Sequence, residues 1–283
     1  MEDKINIVWF KRDLRIFDNE NLSRASKDKK IIPLYIFEPD LWLQPDVSFR
    51  QYSFLKEALH DLDQKLQALN ANLVVKVGNA VEVLNRLTET NKIDCLWSHQ
   101  ETWNAWSYNR DLQVKLWAKA NGIKWIESPR NGVIRGLKNR DGWASTWQKT
   151  MSKQLVLPPV KLDAVHIESD SIPSAQSLNL DEYQNKSNQP ASRKEALSYL
   201  NSFLNQRGQD YNYEMSSPVT AELACSRISP YLAFGQISVR EVFQATEKRR
   251  NILTTNDNNF NKSLKSFSSR LRWHCHFTQK IED

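Results

Sequence analysis

Over its first 130 residues the chain alternates short apolar runs with segments of helical period, and that alternation leaves few folds open. Ile5–Phe10, Ile31–Phe37, Leu73–Val77 and Ile93–Trp97 have the length and composition of buried strands, with Lys124–Ile126 a weaker fifth. Between them Phe54, Leu55, Leu59, Leu62, Leu66 and Leu69 recur at helical spacing, as do Val81, Leu84 and Leu87, and then Leu112, Leu116 and Ala120. Elements in this order bury one another as a parallel sheet covered by helices. Residues 1–130 are therefore predicted to form a doubly wound, Rossmann-like α/β domain. Neither GxGxxG nor GxxxxGKS/T occurs among the seven glycines, and the sheet type alone names no ligand.

From about Ser128 the period is lost and Ser, Asn, Asp and Pro accumulate, including Pro158, Pro159, Pro173 and Pro190. Residues 131–190 read as a long interdomain linker, because so long a stretch without regular structure is unusual inside one compact domain. Ser192 with Glu195 then has the spacing of a capping box. It opens a helix whose apolar face is Ala196, Leu197, Leu200, Phe203 and Leu204, and only helical patterns follow. Residues 191–283 thus form an all-α domain as far as the chain runs.

At 283 residues and 40% hydrophobic content, both domains have enough apolar residues for a core. The net charge of +6 permits a polyanionic partner without demanding one. Cys95, Cys225 and Cys275 lie far apart, which argues against a disulfide framework or a zinc site and for a reducing compartment. The N-terminal Met-Glu-Asp-Lys runs directly into the first strand, and no long apolar run or lipidation motif occurs. The expectation is a cytoplasmic monomer that does not engage a membrane.

The richest segment is Ser226-Arg227-Ile228-Ser229-Pro230-Tyr231-Leu232-Ala233-Phe234-Gly235. Two hydroxyls and an Arg precede a short apolar helix, so unpaired backbone N–H groups and side-chain donors are expected to converge on a phosphate. Gly235 suits the left-handed helix end, and Ser238 with Glu241 caps the next helix. Further on, Phe260, Leu264, Phe267, Leu271 and Cys275 form the inward stripe of a helix. Arg270, Trp273, His274 and Phe277 lie on an adjoining face. A metal site at His274-Cys275-His276 is disfavoured because residues two apart on a helix point in different directions.

Two segments resemble the DNA photolyase and cryptochrome family: Val8-Trp9-Phe10-Lys11-Arg12-Asp13-Leu14-Arg15-Ile16-Phe17-Asp18-Asn19, similar to the family's WFRRDLR-x-x-DN opening, and the Ser226–Gly235 stretch, similar to its T-S-x-L-S flavin motif. The resemblance implies FAD as cofactor, held by Tyr213, Cys225, Ser226, Arg227, Ile228 and Ser229, with Phe267, Arg270 and His274 lining the pocket. Cys225 stands where the family has Thr, a poorer donor. Arg270, Trp273 and His274 are the implied contacts to UV-damaged DNA, Trp273 stacking on a base flipped from the duplex. The implied activity is deoxyribodipyrimidine photolyase-like, a carbon–carbon lyase reaction driven by blue light. The alternatives are a cryptochrome-type photoreceptor and a non-enzymatic remnant binding a nucleotide or partner through the α/β domain. An antenna chromophore is also implied, but the Asn-Glu pair of the folate-type site is missing from Glu101–Asp111, where Trp103, Trp106 and Tyr108 offer rings of unassigned role. Asp13, Arg15 and Asp18 are expected to pair and cap within their loop. Because the last helix reaches Asp283 without a Gly stop, the helical domain is expected to be incomplete, inactive alone and a weak flavin binder.

Overall fold

The computed structural model describes residues 4–181 and 189–283. Met1–Asp3, the start of the expected N-terminal run-in, and residues 182–188 of the expected linker lie outside the described residues. The chain divides into two compact units, each assembled from discontinuous segments. One comprises residues 1–128 and 156–191, the other 129–155 and 192–283.

In the α/β unit the five apolar runs become β1 (Ile5–Phe10), β2 (Lys30–Phe37), β3 (Val74–Val77), β4 (Ile93–His99) and β5 (Lys124–Ser128). All pair in parallel in the order β3-β2-β1-β4-β5. Alternate residues of each strand face opposite sides. Ile5, Ile7 and Trp9 therefore join Ile32, Leu34, Ile36 and Leu96 in one core layer under Leu84, Leu87, Val114 and Trp117. The helices are α1 (Glu20–Ala25), α2 (Phe49–Gln67), α3 (Ala80–Thr90) and α4 (Ala105–Ala120). On α4 the face differs from the one read in the sequence. Leu112 and Leu116 are 42% and 69% exposed, whereas Arg110, Asp111, Val114, Trp117 and Ala118 are buried. Trp117 and Val114 bury as much apolar surface as the leucines would, and turning them inward carries Arg110 and Asp111 into the protein.

The stretch expected as a linker has structure in both units. Residues 156–170 return to the sheet. Ile31 donates its N–H to Asp163 O (2.8 Å) and accepts from Val165 N (2.9 Å), in the part of β2 that the short β3 leaves uncovered. Farther along, Asp170 N donates to Val75 O (2.8 Å), while the Ser169 hydroxyl and Asp170 carboxylate accept from Val75 N and Val77 N. The segment closes the sheet edge.

In the helical unit, α5 (Trp143–Met151) falls within the expected linker. Trp143, Trp147 and Met151 recur every fourth residue and are all buried, a helical stripe visible in the sequence. Then follow α6 (Arg193–Ser202), a single π turn (Phe203–Arg207), α7 (Tyr211–Glu214), α8 (Ala221–Ala224), α9 (Ser229–Phe234), α10 (Val239–Asn251) and α11 (Asn258–Glu282). Ser192 and Ser238 cap α6 and α10 by accepting from Glu195 N and Glu241 N, and Gly235 closes α9 at φ 76°. The expected α6 face is buried except for Leu197, which is 38% exposed. On α11 Phe260, Leu264, Phe267, Leu271 and Cys275 are buried as their spacing predicts.

Candidate functional site

Each unit carries a constellation with chemical potential. In the α/β unit it lies at the carboxyl ends of β1 and β4, where the strand order reverses direction, the position at which open α/β sheets form a ligand crevice. The loop after β1 pins itself. Asp13 accepts from Lys11 N (2.7 Å) and pairs with His99 Nδ1 (2.6 Å), and Arg15 Nε and Nη2 donate to Asp18 O at 3.2 and 3.1 Å. Burial alone raises the Asp13 carboxyl, but the charge and hydrogen bond of His99, the Lys11 amide and Arg15 outweigh it and hold it at about 2. The expected pairing of Asp13, Arg15 and Asp18 within their loop holds in part: Asp13 also bonds His99 at the end of β4, and Asp18 Oδ1 accepts from Val156 N at 3.1 Å.

Beside the loop sits a buried ionic cluster that sequence reasoning missed. Arg110 donates from Nη1 to Glu38 Oε2 (2.6 Å), from Nε to Asp111 Oδ1 (3.0 Å) and from Nη2 to Glu101 Oε2. Lys11 Nζ reaches Asp111 Oδ2 at 3.1 Å, and the cations of Lys11 and Arg110 each lie 4.9 Å from the Trp9 ring centre. Burial is the main force on Glu38. Although Arg110 opposes it, Glu101 and Asp111 add to it, and the carboxyl is pushed up to about 7. Arg110 has the reverse balance, its three carboxylate neighbours outweighing burial to keep it charged. At the rim the Arg12 guanidinium stacks 4.2 Å over the Trp103 ring. The available signal was Arg110-Asp111 one turn ahead of Val114 and Trp117, a charged pair on the inward face of an α/β helix.

In the helical unit the stretch expected to bind flavin, residues 225–229, forms a turn between α8 and α9. Cys225, Ser226 and Arg227 are half-buried, Ile228 is buried and Ser229 exposed. Arg227 has φ 62°, unusual for a residue with a Cβ. The expected anion-binding helix start is modest, since α9 has six residues and Ile228 occupies its N-cap without a side-chain bond. Tyr211 lies near enough to this turn to feel Cys225. Its hydroxyl is shifted up by burial and by Cys225, with Arg270 opposing, whereas Tyr213 is 69% exposed. Phe267 is likewise placed differently from the expectation of a pocket-facing ring. It is buried in an aromatic trio, 4.6 Å from Phe203 and 5.9 Å from Tyr211 between ring centres, where apolar burial favours it.

The outward face of α11 is aromatic and cationic. Arg270 lies 4.8 Å over the Trp273 ring, and Trp273 meets Phe277 edge-on at 6.2 Å; these two rings are 48% and 54% exposed. His274 is exposed beside them. His276 instead packs edge-on against Trp143 and buried Cys275 lies between the histidines, so the run makes no common site. No cluster able to hold a metal ion exists among the described residues. No helix of the described residues is long and apolar enough to cross a membrane.

Residues 6–136 match the family model described as DNA photolyase. The chain is 30% identical to cryptochrome-2 of Arabidopsis thaliana over 281 residues, spanning 91% of this chain and 45% of that protein. It is 29% identical to the deoxyribodipyrimidine photo-lyase of Buchnera aphidicola over 271 residues, spanning 89% of this chain and 55% of that enzyme. The chain thus covers about half the length of these curated relatives. Among solved structures, the cryptochrome of Synechocystis sp. PCC6803 superposes with a TM-score of 0.82 at 18% identity, covering 100% of this chain and 62% of that one, a likeness of fold.

Proposed function

The chain belongs to the DNA photolyase and cryptochrome family, and from that premise we propose that it serves light-driven repair of pyrimidine dimers in UV-damaged DNA. The observation that carries this reading is the exposed Arg270, Trp273 and Phe277 face. A flat ring beside a guanidinium suits a base that has left its stack and a phosphate next to it.

The family binds FAD, and the residues of the 225–229 turn fit a diphosphate. Arg207 and Arg227 bring two positive charges to it, and each lies close enough to act on the Cys225 thiol. Ser226 and the backbone N–H groups of the turn would hold the phosphates, with Tyr211 alongside; the Cys225 thiol adds only a weak donor. When bound, reduced flavin supplies the electron that splits the dimer. The protein's own residues bind and orient: the turn grips the cofactor's anionic part, and Trp273 stacks on the extruded base while Arg270 and His274 engage the backbone. In the α/β unit, Arg12 over Trp103 and the Glu38–Arg110 cluster at the strand ends are suited to a second pigment, an antenna chromophore of planar, polar character.

A blue-light photoreceptor is the second reading, favoured by the 30% identity to a protein named cryptochrome. The deciding experiment adds FAD to the complete gene product, reduces it, and illuminates it with oligonucleotides carrying thymine dimers. Loss of dimers in blue light but not in darkness is expected for repair. In the complete gene product, retained flavin with no repair overturns that reading in favour of photoreception, and no flavin uptake there removes both.

A further inference from the structure

We infer that Arg207 is the positioning residue of the 223–229 turn, an inference that rests on the assignment of that turn to the flavin phosphates. Arg207 ends the π turn that begins at Phe203, closed by Gly208 N donating to Phe203 O at 2.9 Å. The turn requires glycine at 208, since a Cβ there would lie 2.6 Å from Phe203 O and 2.9 Å from its ring.

Every donor of the Arg207 fork has an acceptor. Nε donates to Ser202 Oγ (3.0 Å), Nη1 to Leu223 O (2.9 Å) and Cys225 O (2.6 Å), and Nη2 to Tyr199 O (3.1 Å) and Ser226 O (3.5 Å). Two consequences follow for the turn. In a planar trans peptide the N–H points opposite to the C=O, so drawing the Cys225 and Ser226 carbonyls toward Arg207 turns the amides of Ser226 and Arg227 away from it. The chain then passes through the left-handed conformation at Arg227 (φ 62°) and the right-handed one at Ile228 (φ −93°, ψ −1°). That succession gathers consecutive N–H groups on one side, the geometry of an anion-binding nest. The five acceptors are four carbonyls and a hydroxyl, all neutral, so the guanidinium's charge also acts on whatever the amides hold.

Lysine cannot replace this residue, since a point ammonium has three donors in a different arrangement. Arg207→Gln and Arg207→Lys in the 283-residue chain test the assignment through FAD titration by fluorescence and amide exchange of residues 225–229, with α10 and α11 as internal reference. Both variants are expected to bind FAD about tenfold or more weakly per folded molecule, the loss of one to two charged hydrogen bonds' worth of order, and to exchange faster in the turn alone. Unchanged turn exchange in both variants overturns the inference, as does undiminished FAD affinity; uniform acceleration across α10 and α11 also overturns it, by showing a general structural role. If the unaltered chain binds no FAD, the titration tests only the flavin reading of this chain, and the exchange arm alone decides whether Arg207 positions the turn.

Discussion

Replacing Glu38 with Gln tests whether the cluster at the strand ends is governed by sharing one guanidinium among three carboxylates. Arg110 bonds Glu38, Glu101 and Asp111 together, and Glu38 Oε1 is buried with no hydrogen-bond partner among the described residues. Folding therefore moves the Glu38 carboxyl from an ordinary value of 4.5 to about 7. A raised carboxyl binds its proton more tightly folded than unfolded. Its stabilisation is fully present below pH 4.5 and is lost as pH rises through 7. The interval corresponds to roughly 3 kcal/mol. Gln keeps an acceptor for Arg110 Nη1 and has no proton to lose. Urea denaturation of both proteins from pH 4 to 8 should show the wild type losing about 3 kcal/mol relative to Glu38→Gln across that window, with the variant the more stable above neutrality. A stability difference that stays constant with pH would refute the reasoning, because Glu38 would then be ionised throughout.

Three further outcomes are expected. Asp13→Asn should cost about 2 kcal/mol at neutral pH, since the depressed Asp13 carboxyl contributes stability above its ordinary value of 3.8 that is lost as pH falls toward 2; equal stability of the two proteins at pH 7 by urea titration would count against the His99 pairing. Gly208→Ala should lower stability by about 1–3 kcal/mol, because the clash is partly with backbone; calorimetry showing an unchanged Tm would mean that the π turn relaxes at no cost. Tyr211→Phe should weaken FAD binding about threefold to tenfold, the worth of one hydroxyl hydrogen bond, while Tyr213→Phe leaves it unchanged, and the opposite ranking in a fluorescence titration would return the role to Tyr213.

The α/β architecture was legible because buried parallel strands are nearly continuous apolar runs, and Ile5–Phe10 begins and ends where the run does. The face of α4 was not. Leu112 and Leu116 make a persuasive stripe, yet the buried side chains include the charged Arg110 and Asp111, whose burial only their ion-pair partners just past β1, β2 and β4 can compensate. Glu38 and Lys11 lie far away in sequence, so periodicity cannot reveal them. The 225–229 turn was legible as a string resembling the family's flavin motif, but the burial of Tyr211 rather than Tyr213 was not. Tyr211 and Tyr213 are separated by one helical residue, Asn212, and differ in burial, a distinction decided by how Phe203 and Phe267 pack. In the stretch read as a linker, Leu162, Val165 and Ile167 pack against the core, but they are too few and too widely spaced among polar residues and prolines to stand out as a strand, and the segment bonds the sheet largely through backbone groups and the side chains of Ser169 and Asp170.

That returning segment has a consequence for how the protein is made. The open side of β2 and the outer edge of β3 are satisfied by residues near 163–170, which leave the ribosome only after the whole of α5. Until then the nascent sheet carries an unsealed edge, the kind of surface that pairs with neighbouring chains. Expression of residues 1–130 alone should therefore yield aggregate, and a soluble α/β fragment will have to include the strip from 156 to 191, spliced past a segment that belongs to the other body.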